Sequence, residues 1–307
     1  MLPSGPAIRV SSLHKTYGST VAVDDVSFEV LAGEIFGLIG PNGAGKTTTM
    51  ECVAGLRPPD RGTINVLGLD PARDVRALQR RVGVQLQHAQ LHKRIKVWEA
   101  VDLWTSLYPT TIDGEQLLAR LGLADKREAW FMTLSGGQQQ RLFVALAVIH
   151  DPDVVLLDEL TTGLDPQARR AIWDMVREIR ERGKTVLLTT HLMEEAERLC
   201  DRVAIVERGA VIDSGTPAEL VRRHCPEQTI VLVTADRCAR ERLAAIPGID
   251  AVEVRGTEYT VRGRAPGLVT HVIHCLSEHR LQVTDFRTVL PSLEDVFLAL
   301  TGHSIRD

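Results

Sequence analysis

No C-x-x-C pair occurs in this sequence, and its five cysteines (Cys52, Cys200, Cys225, Cys238 and Cys275) stand apart from one another. An odd, dispersed set argues against a disulfide framework and against a clustered zinc module, and points to reduced thiols in a cytoplasmic setting. A basic excess is also missing: 36 Lys and Arg stand against 40 Asp and Glu, a formal charge of -4. Nucleic-acid binders usually carry a basic stripe, so no nucleic acid is expected as a partner. The arginines at 177, 180 and 182 are interleaved with Glu178 and Glu181, as on a solvated helix face. Long hydrophobic runs are missing too; residues 143–149 are far too few to span a bilayer. The opening Met-Leu-Pro-Ser-Gly-Pro lacks the charged and apolar regions of a signal peptide. The expectation is a chain that does not cross a membrane by itself. Internal repeats and low-complexity tracts are not found.

What is present is an ordinary globular composition, 44% apolar and 25% charged over 307 residues, with room for two domains. Residues 7–30 read as short strands broken at Tyr17-Gly18 and at Asp24-Asp25. Residues 35–39 form a nearly continuous apolar strand, and residues 46–56 have helical composition up to the breaker Arg57-Pro58-Pro59-Asp60-Arg61-Gly62. From about 90 to 133 the pattern turns helical, with Val97, Val101, Trp104 and Leu107 on one stripe. Residues 154–157 and 185–189 read as buried strands around an amphipathic helix at 169–182. Strands alternating with helices imply a parallel sheet covered on both faces. After Pro226, strands near 229–233, 251–254, 258–261 and 281–286, with helices near 239–245 and 268–278, suggest a small split β-α-β sandwich.

Three motifs carry chemistry. Gly40-Pro41-Asn42-Gly43-Ala44-Gly45-Lys46-Thr47 fits G-x-x-x-x-G-K-[ST], and it follows a strand and opens a helix, the context a phosphate loop requires. Backbone N–H groups turn onto phosphate oxygens, Lys46 reaches the β- and γ-phosphates, and the Thr47 hydroxyl ligates Mg²⁺. The strand at 154–157 ends in Asp158 and Glu159; Asp158 suits the Mg²⁺ surroundings and Glu159 a base that polarises the attacking water. Acidic residues also end strands for no chemical reason, and it is the upstream phosphate loop that favours the metal reading. Leu134-Ser135-Gly136-Gly137-Gln138-Gln139-Gln140-Arg141 puts a hydroxyl and glycine N–H groups before the apolar residues 142–149, a second anion-binding helix end. A simple N-cap at Ser135 is the competing reading, though a cap needs neither two glycines nor the Gln run.

On these motifs the sequence closely resembles the ATP-binding cassette (ABC) transporter ATPases, over roughly residues 8–220 and with the motifs in the family order. The resemblance implies an α/β fold, a P-loop NTPase ABC cassette with a mixed-sheet core and a helical subdomain at about 90–140. It divides the chain at 1–225 and 226–307, the latter a small α+β C-terminal domain that is regulatory or dimer-stabilising. Tyr17 matches the aromatic residue stacking on adenine. Gln87 matches the glutamine that contacts Mg²⁺ and the attacking water; Gln85 is a nearby competitor, but Gln87 fits the strand end better. Thr162-Gly163-Leu164-Asp165 resembles the loop contacting the opposite subunit, and His191 the switch histidine near the γ-phosphate. Nucleotide is then expected on Tyr17, Gly40 to Thr48, Asp165 and the Ser135, Gly136, Gly137 and Gln138 set, with Glu159, His191, Lys46 and Gln87 catalytic and Thr47, Gln87 and Asp158 on the metal. The family usually has Pro after the glutamate; here stands Leu160, which leaves that loop slightly freer.

The tail Leu290-Pro291-Ser292-Leu293-Glu294-Asp295-Val296-Phe297-Leu298-Ala299-Leu300-Thr301-Gly302 resembles that of bacterial drug-resistance ATPases, the daunorubicin-type exporters. A generic amphipathic terminal helix is the alternative. The expected activity is MgATP hydrolysis driving efflux of a drug-like or hydrophobic compound, as in antibiotic resistance. The expected partners are a second copy, placed head to tail across two ATP molecules, and a separate transmembrane permease at the cytoplasmic face of the membrane. An importer motor shares every catalytic motif and remains an alternative. A cassette acting on nucleic acid or ribosomes is a further one, though it would bring a coiled-coil insertion, a zinc module or a second cassette. His271, His274 and Cys275 share a helical spacing that hints at metal, but ordinary surface histidines are the simpler reading.

Overall fold

The computed structural model describes residues 5–87, 89–108, 112–236 and 238–303. Two compact units divide the chain, one reaching Pro217 and the other beginning at Ala218. The first is built in chain order from β1 (Ile8–Tyr17), β2 (Thr20–Val30), β3 (Ile35–Ile39), α1 (Lys46–Val53), β4 (Arg61–Val66), α2 (Val75–Gln79), β5 (Val82–Gln85), α3 (Val97–Leu107) and α4 (Gly114–Arg120). There follow α5 (Gly136–Val148), β6 (Val154–Asp158), α6 (Pro166–Glu181), β7 (Thr185–Thr190), α7 (Met193–Leu199), β8 (Arg202–Glu207) and β9 (Ala210–Gly215).

A six-stranded sheet in the order β5-β6-β7-β3-β8-β9 forms the centre. Its strands are parallel up to β8, and β9 returns antiparallel. Every residue of β3, β6 and β7 is buried, as continuous apolar runs in a two-sided parallel sheet should be. Beside it lies an antiparallel sheet in the order β2-β1-β4, so the core is mixed, as the resemblance implied, and not the parallel sheet that strand–helix alternation alone suggested. Adjacent β6, β7 and β3 end at one edge, which aligns the segments that follow them. Such carboxyl-end crevices are where open α/β sheets bind ligands. Asp165 caps α6 through bonds of 2.9 Å from the Gln167 and Ala168 N–H groups, with Pro166 at the first turn, and Ile172, Trp173, Val176 and Ile179 are its buried face.

Several expected boundaries move. Asp24-Asp25 does not break β2: Asp24 N–H donates to Gly209 O at 2.6 Å, and the irregularity is absorbed as a shift in register with Asp25 at φ 59°. Helix α1 stops at Val53, before Leu56, because the chain turns at Gly55 with φ 71°. The 90–133 stretch is α3, α4 and two short 3₁₀ turns, Ala124–Lys126 and Phe131–Thr133. On its stripe Val97 and Val101 are buried, but Leu107 is 65% exposed. Residues 109–111 of the expected helical subdomain lie outside the described residues. The strands β8 and β9 had no counterpart in the sequence reading.

The second unit takes in α8 (Pro217–His224) beyond its first residue, since the chain divides between Pro217 and Ala218. That is ahead of the expected boundary after 225, which took no account of this helix. It contains β10 (Gln228–Thr234), α9 (Ala239–Ala244), β11 (Ile249–Arg255), β12 (Glu258–Gly263), α10 (Leu268–Glu278), β13 (Val283–Val289) and α11 (Leu293–Thr301). Its antiparallel sheet runs β11-β12-β10-β13, the split β-α-β arrangement. Ile230, Leu232, Tyr259 and Val261 of the sheet pack on Leu243, Leu268, Val272 and Leu276 of the helices.

Candidate active site

The segment between β3 and α1 turns tightly under the first unit. Gly45 sits at φ 97°, and a Cβ there would lie 2.3 Å from the Ala22 carbonyl oxygen, so only glycine lets the loop approach β2. Gly209 N–H donates to Ala44 O at 3.1 Å, which pins the loop to the β8–β9 turn. Lys46 leads α1 with its side chain folded back: its ammonium donates to Gly40 O and Pro41 O, each at 2.8 Å, and stands 3.8 Å from Glu159 Oε1. Burial holds this ammonium below its ordinary 10.5, against the opposing pull of Glu159 and Asp158.

The ends of β6 and β7 complete the arrangement. Asp158 is fully buried; its Oδ1 accepts from the Thr189 hydroxyl and, at 3.3 Å, from the Thr47 hydroxyl. Its Oδ2 is buried without a hydrogen bond, and burial pushes the carboxyl above its ordinary 3.8. A buried carboxylate oxygen lacking a donor, beside a threonine hydroxyl, is what a hard divalent cation requires. The residues therefore fit Mg²⁺. Glu159 sits at φ 47°, its N–H shared between Thr189 O and Oγ1 at 3.1 Å each. Its carboxylate accepts from Gln87 Nε2 at 2.9 Å and Thr162 Oγ1 at 3.3 Å, and lies 3.5 Å from His191 Nδ1. Gln85 instead points into the fold, 3% exposed, with its amide on Leu86 O.

Tyr17, Asn42, Gly43, Gly45, Lys46, Thr47, Thr48, Gln87 and Glu159 line one cleft of about 380 Å³, with Thr20, Val21 and Ala22. The last three escaped the sequence reading because they carry no chemistry of their own and enter only through the β1–β2 hairpin. Tyr17 is 41% exposed, with the Arg57 guanidinium 5.4 Å and the Lys15 ammonium 5.9 Å from its ring centre. Gly40, Pro41 and Ala44 shape the loop without lining the cleft.

Ser135, Gly136, Gly137, Gln138 and Asp165 do not line it either. At α5, Gln138 N–H donates to Ser135 Oγ at 3.3 Å and Ser135 N–H to Gln138 Oε1 at 2.9 Å, a closed capping box. Both sequence readings of Ser135 are thus compatible with one geometry. Gly137 has a structural reason of its own: a Cβ there would lie 2.8 Å from that of Ala168 on α6, whereas one at Gly136 would meet Leu164 Cδ2 at 3.6 Å. Glu195 is a supporting residue the sequence reading missed. Buried on α7, it accepts from Thr161 Oγ1 at 2.8 Å and Trp173 Nε1 at 2.9 Å, tying the segment after Glu159 to α6.

Beyond Gln87 a groove of about 460 Å³ is lined by Ala89, Gln90, Leu91, Lys93, Phe131, Met132 and Gln139. Met132 is 55% exposed there. No helix among the described residues is long and apolar enough to cross a membrane. Among those residues no three His, Cys, Asp or Glu side chains group to hold a metal, the His271, His274 and Cys275 set included.

Known proteins resemble this chain in sequence and in fold. A family model described as ABC transporter matches residues 23–162, and one described as the C-terminal domain of DrrA1-3-like ATP-binding proteins matches residues 215–301. The Nod factor export ATP-binding protein I of Ralstonia nicotianae is 39% identical, over 99% of this chain and 96% of its own. The protein of that name from Paraburkholderia xenovorans is 40% identical, over 98% and 99%. A solved ATP-binding subunit of an ABC transporter is 29% identical with a TM-score of 0.65, covering 71% of this chain and 92% of its own. The cbiO1 subunit from Clostridium perfringens is 25% identical with a TM-score of 0.64, over 73% and 97%. With a phosphate loop, two strand-end carboxylates and relatives alike along nearly the whole length, this chain belongs to the ATP-binding subunits of ABC transporters, the ATPases of that family.

Proposed function

We propose that this subunit hydrolyses MgATP as one of two identical copies and drives export through a separate membrane-spanning permease. The observation that carries the reading is the meeting of Lys46, Thr47, Gln87 and Glu159 in one cleft, with Asp158 bonded to Thr47 and His191 3.5 Å from Glu159, while the Ser135–Gln138 helix end does not line it. A cleft that holds only half the family's nucleotide contacts calls for a second copy to bring the other half, and Asp165 stands on the loop that would meet that copy. In a two-fold pair each copy gives what it receives.

Within the site the division of labour follows from the contacts. Tyr17 offers a flat face to adenine, and the loop N–H groups with Lys46 hold the phosphates. Thr47, Asp158 and Gln87 would hold Mg²⁺, which offsets charge on the phosphate oxygens. Glu159, bonded to Gln87 and close to His191, orients and polarises the attacking water. Lys46 stabilises charge as it develops on the transferred group. The groove beside Gln87, with its exposed Met132, is the surface suited to receive an apolar-tipped segment of the permease. On this reading the subunit works at the cytoplasmic face of the membrane.

Export is favoured over import by the relatives named for export and by the DrrA-like C-terminal match. A drug-like or hydrophobic cargo, and with it a part in antibiotic resistance, is the corresponding proposal. No nucleic acid enters the scheme, and the second unit serves as a regulatory or dimer-stabilising element. The test is to purify the chain with the membrane protein encoded beside it, reconstitute both in vesicles and assay transport. ATP-dependent movement out of the cytoplasmic compartment is the expected result; ATP-dependent uptake into it would replace export with import.

A further inference from the structure

The sheet of the second unit has two edges, β11 and β13, and among the described residues β13 pairs only with β10. An unpaired strand edge is a row of backbone donors and acceptors open to another chain, and proteins that avoid such contact blunt it. Read outward from Phe286, β13 is Val283-Thr284-Asp285-Phe286-Arg287-Thr288-Val289: the same residue types in both directions, except that Asp answers Arg. Antiparallel pairing of this strand with its own copy about Phe286 sets Asp285 of each opposite Arg287 of the other. Thr then faces Thr and Val faces Val on either side.

The charges fix this register. Moving the two-fold axis one residue earlier sets Asp285 against Asp285, and one later Arg287 against Arg287; like charges directly opposite oppose pairing. The other edge has no such property, for Ile249-Asp250-Ala251-Val252-Glu253-Val254-Arg255 read about its centre opposes Asp250 to Val254 and Ala251 to Glu253. Asp285, Arg287 and Thr288 are exposed, and Val289 is 47% exposed. The register irregularity with β10 is confined to the Val283 end, which leaves Asp285–Val289 regular and the axis inside that stretch.

A second observation lies along the same edge. Between α10 and β13 runs a groove of about 690 Å³ lined in part by Ile273, Leu276, Leu281 and Phe286. Ile273 is 50% exposed on it. Across the axis the two Phe286 side chains would meet, flanked by these apolar walls.

We propose that β13 is a self-association strand: two copies of the chain join their second units edge to edge into one continuous eight-stranded sheet. The contact is isologous and needs no nucleotide, so it does not rest on the nucleotide sandwich. Sedimentation equilibrium of the full chain without nucleotide tests it. The expected result is a dimer that Asp285→Arg or Arg287→Asp each weakens about tenfold or more, by setting like charges opposite twice. The double variant Asp285→Arg/Arg287→Asp regains the association, with the thermal midpoint showing that each variant folds. A nucleotide-free monomer, single reversals without effect, or a double variant that stays weak would each overturn the proposal. ATP-driven pairing of a Glu159→Gln chain is a separate readout; its failure alone would count against the sandwich and leave this contact standing.

Discussion

The side-chain amide of Gln87 donates a 2.9 Å hydrogen bond to the carboxylate of Glu159, joining the segment after β5 to the end of β6. Through this bond the residue beside the surface groove and the candidate base act as one unit. Glu159→Gln is expected to keep ATP binding, lower hydrolysis about a hundredfold or more and accumulate an ATP-bound dimer. Turnover assays with size-exclusion chromatography in ATP check this; a chain that turns over normally would remove Glu159 from its role.

Asp158 is a buried carboxylate with one oxygen lacking a donor. Without metal, that arrangement costs stability, and Asp158→Asn keeps the shape while removing the charge. The variant should gain on the order of 1 kcal/mol as the nucleotide-free protein and lose its Mg²⁺-dependent hydrolysis. Thermal unfolding and ATPase titrations with Mg²⁺ read the two effects, and a destabilised variant would contradict the account.

Gly136 and Gly137 stand side by side but answer to different neighbours. Gly137→Ala drives a methyl group to 2.8 Å from Ala168 and should destabilise the chain by about 1–3 kcal/mol. Gly136→Ala meets only Leu164 at 3.6 Å and should leave stability unchanged while lowering ATPase through the second copy's site. Denaturant unfolding beside ATPase assays separates the two.

Asp60 fastens the strand that carries Tyr17. Its carboxylate accepts from Lys15 Nζ at 2.8 Å and from the Thr16 N–H and hydroxyl at 2.7 and 2.8 Å, which holds the group well below its ordinary 3.8. A carboxyl lowered by folding contributes stability that is whole above that ordinary value and is lost as the pH falls below it. Asp60→Asn should weaken ATP binding several-fold near neutrality, and its stability deficit should shrink as the pH falls through that range. Calorimetric titration with ATP and unfolding at several pH values measure both.

Met132 lies in the groove beyond Gln87, more than half exposed. Met132→Glu should leave the ATPase of the isolated chain intact and abolish co-purification with the permease. Retained co-purification would move the docking surface elsewhere.

The phosphate loop, the strand-end carboxylates and the Ser135 helix start were legible because each is a local pattern whose chemistry demands fixed spacing. Gln87 was separable from Gln85 only through the resemblance, which sets its glutamine at the strand end; β5 stops at Gln85 and Gln87 lies just past it. Glu195 was not legible: it works through Thr161 and Trp173, far away in sequence. Nor was the reason for Gly137, which lies in the approach of another helix. The continuity of β2 through Asp24-Asp25 was hidden because a single bond to Gly209 overrides an unfavourable local sequence. Local grammar marks the chemistry, while tertiary contacts decide where elements end and what supports them.

The Lys46 ammonium, bonded to the carbonyls of Gly40 and Pro41, would make nucleotide arrival an exchange reaction under the proposed function. One set of oxygen partners gives way to another of the same kind, so the step is close to isodesmic. On the proposed reading the turn need not refold to take nucleotide, because the carbonyls that hold Lys46 keep the ammonium where the phosphates would replace them.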